Sequence, residues 1–187
     1  MSFVSNLKLY LQRKEDIRRL HIVSCGTSYH AGLIGKYLIE RISRMPVSVD
    51  TASEYRYRNP IIDSDTLFIA ITQSGETADT LAAQREAKRL GARTLTICNV
   101  VGSTSTREAD AVLYTRSGPE IGVASTKTFT AQLAALCLLA LGIGYGRHSL
   151  NRDELDALRA HIAEIPSLVE QTLQRDAEIK ALAATMV

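Results

Sequence analysis

The chain predicts an α/β fold: a five-stranded parallel sheet in three layers, α/β/α, followed by a C-terminal helical arm. Three observations predict it. Five short apolar runs alternate along the chain with segments of helical period, the pattern of a parallel sheet covered on both faces. Two of the runs, the first and the third, end in hydroxyl-rich turns that open a helix: Cys25-Gly-Thr-Ser28 and Thr72-Gln-Ser-Gly-Glu-Thr77. The last 37 residues lose the strand pattern and carry an amphipathic stripe instead.

In order, residues 3–19 have helical spacing, with Val4, Leu7, Leu11 and Ile17 on one face. His21–Cys25 is a buried strand closed by Gly26. Residues 29–43 form a helix on the recurrence of Leu33, Ile34, Tyr37, Leu38 and Ile42, with Arg41 as a polar interruption, and Pro46 ends it. Val47–Thr51 is a short strand, and Ser53–Pro60 a short helix or loop. Leu67–Thr72 is the third strand. The helix after it begins near Ala78, buries Ala83, Ala87 and Leu90, and stops at Gly91. Arg93–Asn99 and Ala111–Thr115 are the remaining strands, with a loop at Gly102–Thr106 able to cap a short helix. Ser117–Ala124 is a long loop. The helix from Thr126 to about Leu141 is apolar nearly all round, which predicts a position between layers. In the arm, Leu155, Leu158, Ile162 and Ile165 share a face, Pro166 starts a second helix at its N1 position, and Leu168, Val169 and Leu173 continue the stripe. The expected organisation is an N-terminal helix over 1–20, a domain over 21–145 and a helical arm over 146–187.

Composition narrows the function. With 187 residues and a net charge of +2, the chain has no charge block of the kind that grips nucleic acid. Its longest apolar stretch, Leu133–Ile143, is shorter than the ~20 residues that cross a bilayer, and Leu7–Leu20 is too charged for a signal peptide. Neither a nucleic-acid nor a membrane partner is expected. The three cysteines are far apart in apolar runs, so they read as free thiols of a reducing, cytoplasmic compartment. No His or Cys pair has metal-ligand spacing, and no cofactor is expected.

The two turns carry the chemistry. A strand followed by a hydroxyl-rich turn and a helix start presents unpaired backbone N–H groups with partial positive charge. Gly75 allows close approach of a ligand, and the hydroxyls add donors. A helix capped by Ser74 or Thr77 is the plain reading of one such turn; two at equivalent places point to an anion site, phosphate first. The strand order is not read from the residues; the flavodoxin-like order 2-1-3-4-5 that such folds commonly take would set strands one and three side by side, with both turns facing one crevice. The other candidates read as structural. Cys25 lacks a histidine partner and is taken as a packing thiol, Lys127 as a solvated or phosphate-facing lysine, Glu76 as a capping residue, His30 as a packing or surface histidine. Glu54 and Glu120 sit in loops without an acid–base partner.

Cys25-Gly-Thr-Ser28, Ala52-Ser-Glu-Tyr-Arg-Tyr57, Gln73-Ser-Gly-Glu-Thr-Ala-Asp-Thr80 and Glu120-Ile-Gly-Val-Ala-Ser-Thr-Lys127 together resemble the isomerase region of the glutamine–fructose-6-phosphate aminotransferases, and more broadly the SIS (sugar isomerase) domain. The likeness is close from His21 to Leu141. It implies that Gln73, Ser74 and Thr77, with Thr72 where the family often has serine, bind the phosphate of fructose-6-phosphate or glucosamine-6-phosphate. It also implies sugar and phosphate contacts from Thr27 and Ser28, and a sugar-lining backbone around Val123. The catalytic glutamate, histidine and lysine of that family lie in a second SIS half, and its ammonia comes from a glutaminase domain. No residue here inherits those roles, so the chain is expected to bind hexose phosphate without turning it over, as a homodimer. The alternatives are a non-catalytic sugar-phosphate sensor and a stand-alone isomerase completed by oligomerisation, for which Glu54, Glu120 and His30 are the candidate bases.

Overall fold

A strand that is apolar along its whole length needs cover on both sides. In the computed structural model, which describes residues 17–186, every residue of Thr66–Thr72 is buried. This strand, β3, is the middle of a five-stranded sheet. Around it in chain order lie β1 (Arg19–Ser24), α1 (Gly26–Ser43), β2 (Val47–Thr51), α2 (Ala52–Tyr57), then α3 (Ala78–Arg89), β4 (Arg93–Cys98), α4 (Thr104–Glu108), β5 (Ala111–Tyr114) and α5 (Lys127–Gly146). The order across the sheet is β2-β1-β3-β4-β5 with every pairing parallel, as expected.

Side chains alternate across a strand, so β3 feeds two cores. Leu67, Ile69 and Ile71 join Ile22, Ile39, Leu95, Leu136 and Leu139 under α1 and α5. Phe68 and Ala70 join Val23, Tyr55, Ala83 and Ala87 under α2 and α3. These are the two outer layers of the sandwich. The second core surrounds the Tyr55 and Phe68 rings with small residues, and α3 contributes alanines, Ala83 and Ala87, to it.

Several element bounds and placements differ from expectation. Most of the helix predicted over 3–19 lies outside the described residues; of its last positions, Ile17 and Arg18 are irregular and Arg19 opens β1. α1 begins at Gly26, three residues early, so Thr27 and Ser28 lie in its first turn rather than before it. α5 is not held between layers: it lies beside α1 in one outer layer, with Leu138 and Tyr145 exposed. It also runs on to Gly146, and by length and composition this helix is long and apolar enough to cross a membrane. Counting only Leu133–Ile143 understated it, because threonine, glutamine, glycine and tyrosine continue the uncharged stretch.

The described residues divide into two compact units between Leu150 and Asn151. The second holds α6 (Arg152–Leu173) and α7 (Asp176–Ala184). A capping box starts α6: Asn151 accepts from the Glu154 amide, and Glu154 accepts from the Asn151 amide, both at 2.9 Å. Pro166 does not start a new helix; it lies inside α6. Proline removes one hydrogen bond, and its fixed φ is already helical, so turns on both sides carry the helix through. The break comes at Gln174–Arg175 instead.

Candidate functional site

β1 and β3 are parallel neighbours, with Ser24 beside Ile71. The segments that follow them therefore emerge side by side at the same end of the sheet. Both open a helix, and neither helix start is capped by its own side chain. Cys25 at the head of α1 and Thr77 at the head of α3 are extended and make no side-chain cap bond. The first amides of both helices, with their partial positive charge, are left for another acceptor.

The Thr72–Thr77 turn is tightly built. Thr72, almost wholly buried, accepts from the Gly75 amide at 3.1 Å, and Ser74 accepts from the Glu76 amide at 3.1 Å. Gly75 has φ +71°, and a Cβ there would stand 2.0 Å from Ser103 Oγ. Its carbonyl accepts from the Ser105 amide at 3.0 Å, and the Gln73 carbonyl accepts from the Asn99 amide at 3.3 Å. Glu76 points away from the turn: its carboxylate accepts from the Thr104 amide at 2.8 Å at the head of α4. That bond pulls its pKa below the usual carboxylate range. The one acidic group of the turn is thus engaged at the head of the neighbouring helix.

Within the described residues, the side chains of Thr27, Gln73 and Thr77 make no hydrogen bond, and the Ser74 hydroxyl keeps its proton for donation. Thr27, Gln73 and Ser74 are partly exposed and Thr77 is exposed. Ser28 differs: it is buried, and its Oγ accepts from Gln132 Nε2 at 3.0 Å. Thr72 serves the turn's own backbone. The sequence-derived residues thus split into a group that faces outward and a pair, Ser28 and Thr72, engaged inside the protein.

The Ser28–Gln132 bond joins positions far apart in the chain and sets the N-terminal part of α5 against the first turn of α1. The loop that enters α5 is pinned at its base. Asn99 donates to the Gly118 carbonyl at 2.7 Å and accepts from the Ser117 amide at 2.8 Å. Glu120 caps α5, accepting from the amide and hydroxyl of Thr126 at 2.8 and 2.9 Å. The Thr128 hydroxyl, the Thr126 amide and the Thr126 hydroxyl draw its pKa down to about 2. Ile121 and Val123, between the pinned ends, are fully exposed.

Sequence reasoning missed Ser24 and Gln132. Both are buried, and Ser24 Oγ and Gln132 Oε1 have no hydrogen-bond partner among the described residues. Gln132 carried a signal: it is the one amide side chain in a mostly apolar helix whose only charged residue is Lys127 at its start. Ser24 carried none, being one small residue in an apolar strand. Glu54 and His30 are exposed, and the His30 ring lies edge-on to that of Tyr29 at 5.6 Å. Among the described residues no cluster of three His, Cys, Asp or Glu could hold a metal, and the three cysteines are unpaired.

A family model for the SIS domain matches residues 15–142. A glutamine–fructose-6-phosphate aminotransferase of Clostridium tetani is 53% identical over 181 residues, covering 97% of this chain and 30% of that protein. One from Thermus thermophilus is 54% identical over 160 residues, 86% of this chain and 26% of that protein. The chain thus spans under a third of the length of these relatives. Among solved structures, the C-terminal domain of glucosamine-fructose-6-phosphate aminotransferase from Francisella tularensis superposes with a TM-score of 0.89 at 41% identity, over 97% of this chain and 51% of that one.

Proposed function

The chain belongs to the SIS domain family, and from that premise we propose that it is the sugar-phosphate-binding half of the isomerase region of a glutamine–fructose-6-phosphate aminotransferase. The observation that carries the reading is the pair of uncapped helix starts at adjacent strand ends, ringed by unspent donors. A phosphate dianion there accepts from the first amides of α1 and α3, from the hydroxyls of Thr27, Ser74 and Thr77, and from the Gln73 amide. Thr72 holds the turn in shape. Ser28 spends its lone pair on Gln132 and keeps its proton for the sugar or phosphate. The backbone around Val123 lines the hexose.

The ligand is fructose-6-phosphate or glucosamine-6-phosphate. The phosphate is the non-reacting end, so this half anchors and orients while the chemistry falls to other parts of the enzyme. Ring opening and proton transfer belong to a second SIS half, and ammonia to a glutaminase domain. What supports this division is the state of the local bases. Glu120, with a pKa of about 2, is a poor proton acceptor at neutral pH and is engaged as a cap. Glu54 and His30 are exposed, and neither side chain has a hydrogen-bond or ion-pair partner among the described residues.

Calorimetric titration with both hexose phosphates, and with fructose as control, tests the assignment. Losing two charge-assisted donors, in the double variant Ser74→Ala/Thr77→Ala, weakens hexose-phosphate binding by a factor on the order of 100, at about 1.5 kcal/mol or more for each. Fructose binding is unchanged. Equal losses for both ligands would remove the phosphate role. Turnover by the chain alone would overturn the half-site reading.

A further inference from the structure

Toward the opposite end of β1 from the Cys25–Ser28 turn, a second cavity of about 290 Å³ opens beside β2. Arg19, His21, Ser48, Arg58 and Asn59 supply its polar lining, and no carboxylate lines it. The carboxylates stand behind the basic groups. Asp50 lies 2.5 Å from His21 Nε2 and accepts from Arg58 Nη2 at 2.5 Å. Asp65 and Asp63 accept from Arg19 Nε and Nη2, each at 3.2 Å. Each guanidinium is held in place on one side and has further N–H donors to offer on the other.

His21 is 6% exposed. Its Nε2 is committed to Asp50, so Nδ1 is the ring nitrogen without a partner among the described residues. The Tyr55 ring meets the imidazole edge-on at 5.0 Å and is itself backed by Phe68. The charged and titratable neighbours are Asp50 from β2, Arg58 beyond α2, Tyr55 on α2 and Arg19 on β1. Burial holds the His21 pKa low against the pull of Asp50, and burial likewise raises the Tyr55 pKa, keeping the phenol neutral. In the neutral ring Nε2–H donates to Asp50 and Nδ1 presents a lone pair; in the protonated ring both nitrogens donate.

We propose that this cavity is a second site, one that takes an oxyanion group (phosphate or carboxylate) of a small molecule, held by Arg19 and Arg58 and by the protonated Nδ1 of His21, so that binding draws one proton from solvent. It is separate from the turn at the ends of β1 and β3 and does not depend on what binds there.

Imidazole NMR of the whole chain, titrated from pH 8 to 5.5, tests it with sulfate and acetate as probes. Sulfate does not itself titrate in that range, unlike a phosphate monoester with its second pKa near ~6. With saturating anion the His21 midpoint rises by about 0.5–1 unit, which is about a three- to tenfold tighter binding at the acid end. The rise persists in Ser74→Ala/Thr77→Ala, and Arg58→Ala weakens the anion at least threefold with the native spectrum retained. A response to sulfate alone assigns a phosphate-type ligand, and a response to acetate alone a carboxylate; either upholds the site. A midpoint unmoved by both anions, or a rise lost with Ser74 and Thr77, overturns it.

Discussion

Two residues show how the site depends on single groups. Gly75 lies at φ +71°, where a side chain costs roughly 1–2 kcal/mol, and a Cβ would overlap Ser103 as well. Gly75→Ala is expected to lower stability by about 3 kcal/mol and to abolish hexose-phosphate binding; chemical denaturation beside a binding titration checks both. Glu120 acts through its charge. Its pKa falls from 4.5 to about 2 on folding, so the stability it lends is whole above about pH 4.5 and is lost as the pH falls through 2. Glu120→Gln should therefore be less stable than the parent at neutral pH, with the gap closing in acid. Denaturation midpoints across pH 2–7 measure it, and a gap independent of pH would refute the carboxylate cap. The position of the turns was legible in the sequence, because hydroxyls and glycine after an apolar run mark the end of a strand and the start of a helix. The divided duties of Thr72 and Ser28 were not, since which way a hydroxyl points depends on neighbours such as Gly75 and Gln132 that lie across a turn or across the fold.

The elements were largely visible in the hydrophobic period, and their ends were not. β1 starts at Arg19 rather than His21, and α5 runs to Gly146, past Leu141. Ends are set by pairing and packing: Arg19 belongs to β1 because it registers with Thr66 on β3. α6 shows a local rule losing to context. Pro166 reads as a break, yet the helix passes through it. Pro166→Ala restores a donor and removes a ring clash, and should stabilise α6 by up to about 3 kcal/mol. A gain in helical circular dichroism on heating is the expected sign; an unchanged melt would mean that α6 does not limit stability.

For the whole molecule, the parallel order β2-β1-β3-β4-β5 sets two distant sequence motifs side by side at one end of the sheet. Adjacency of β1 and β3 does this, and the hydrogen bond between Ser28 and Gln132 ties α5 to the first turn of α1. The second unit leaves Ile165, Leu168, Val169 and Leu173 more than half exposed along one helix. Such a stripe stays soluble by being covered, and a homodimer is the expected arrangement. Light scattering should give twice the chain mass, and Leu168→Glu/Leu173→Glu the mass of one chain; a monomeric parent would exclude the dimer.

The sequence by itself determined the layered α/β fold and the hydroxyl-rich turns, since these follow from periodicity and local chemistry along a short window; the strand order came from what such folds commonly adopt, and the structure bears it out. Only the tertiary structure decided that Glu76 serves the head of α4, that Glu120 caps α5, that Gln132 reaches Ser28, and that Arg19, His21 and Arg58 share a cavity. Each of those is a contact between segments whose separation along the chain carries no signal, because burial and hydrogen-bond direction are settled by packing in three dimensions.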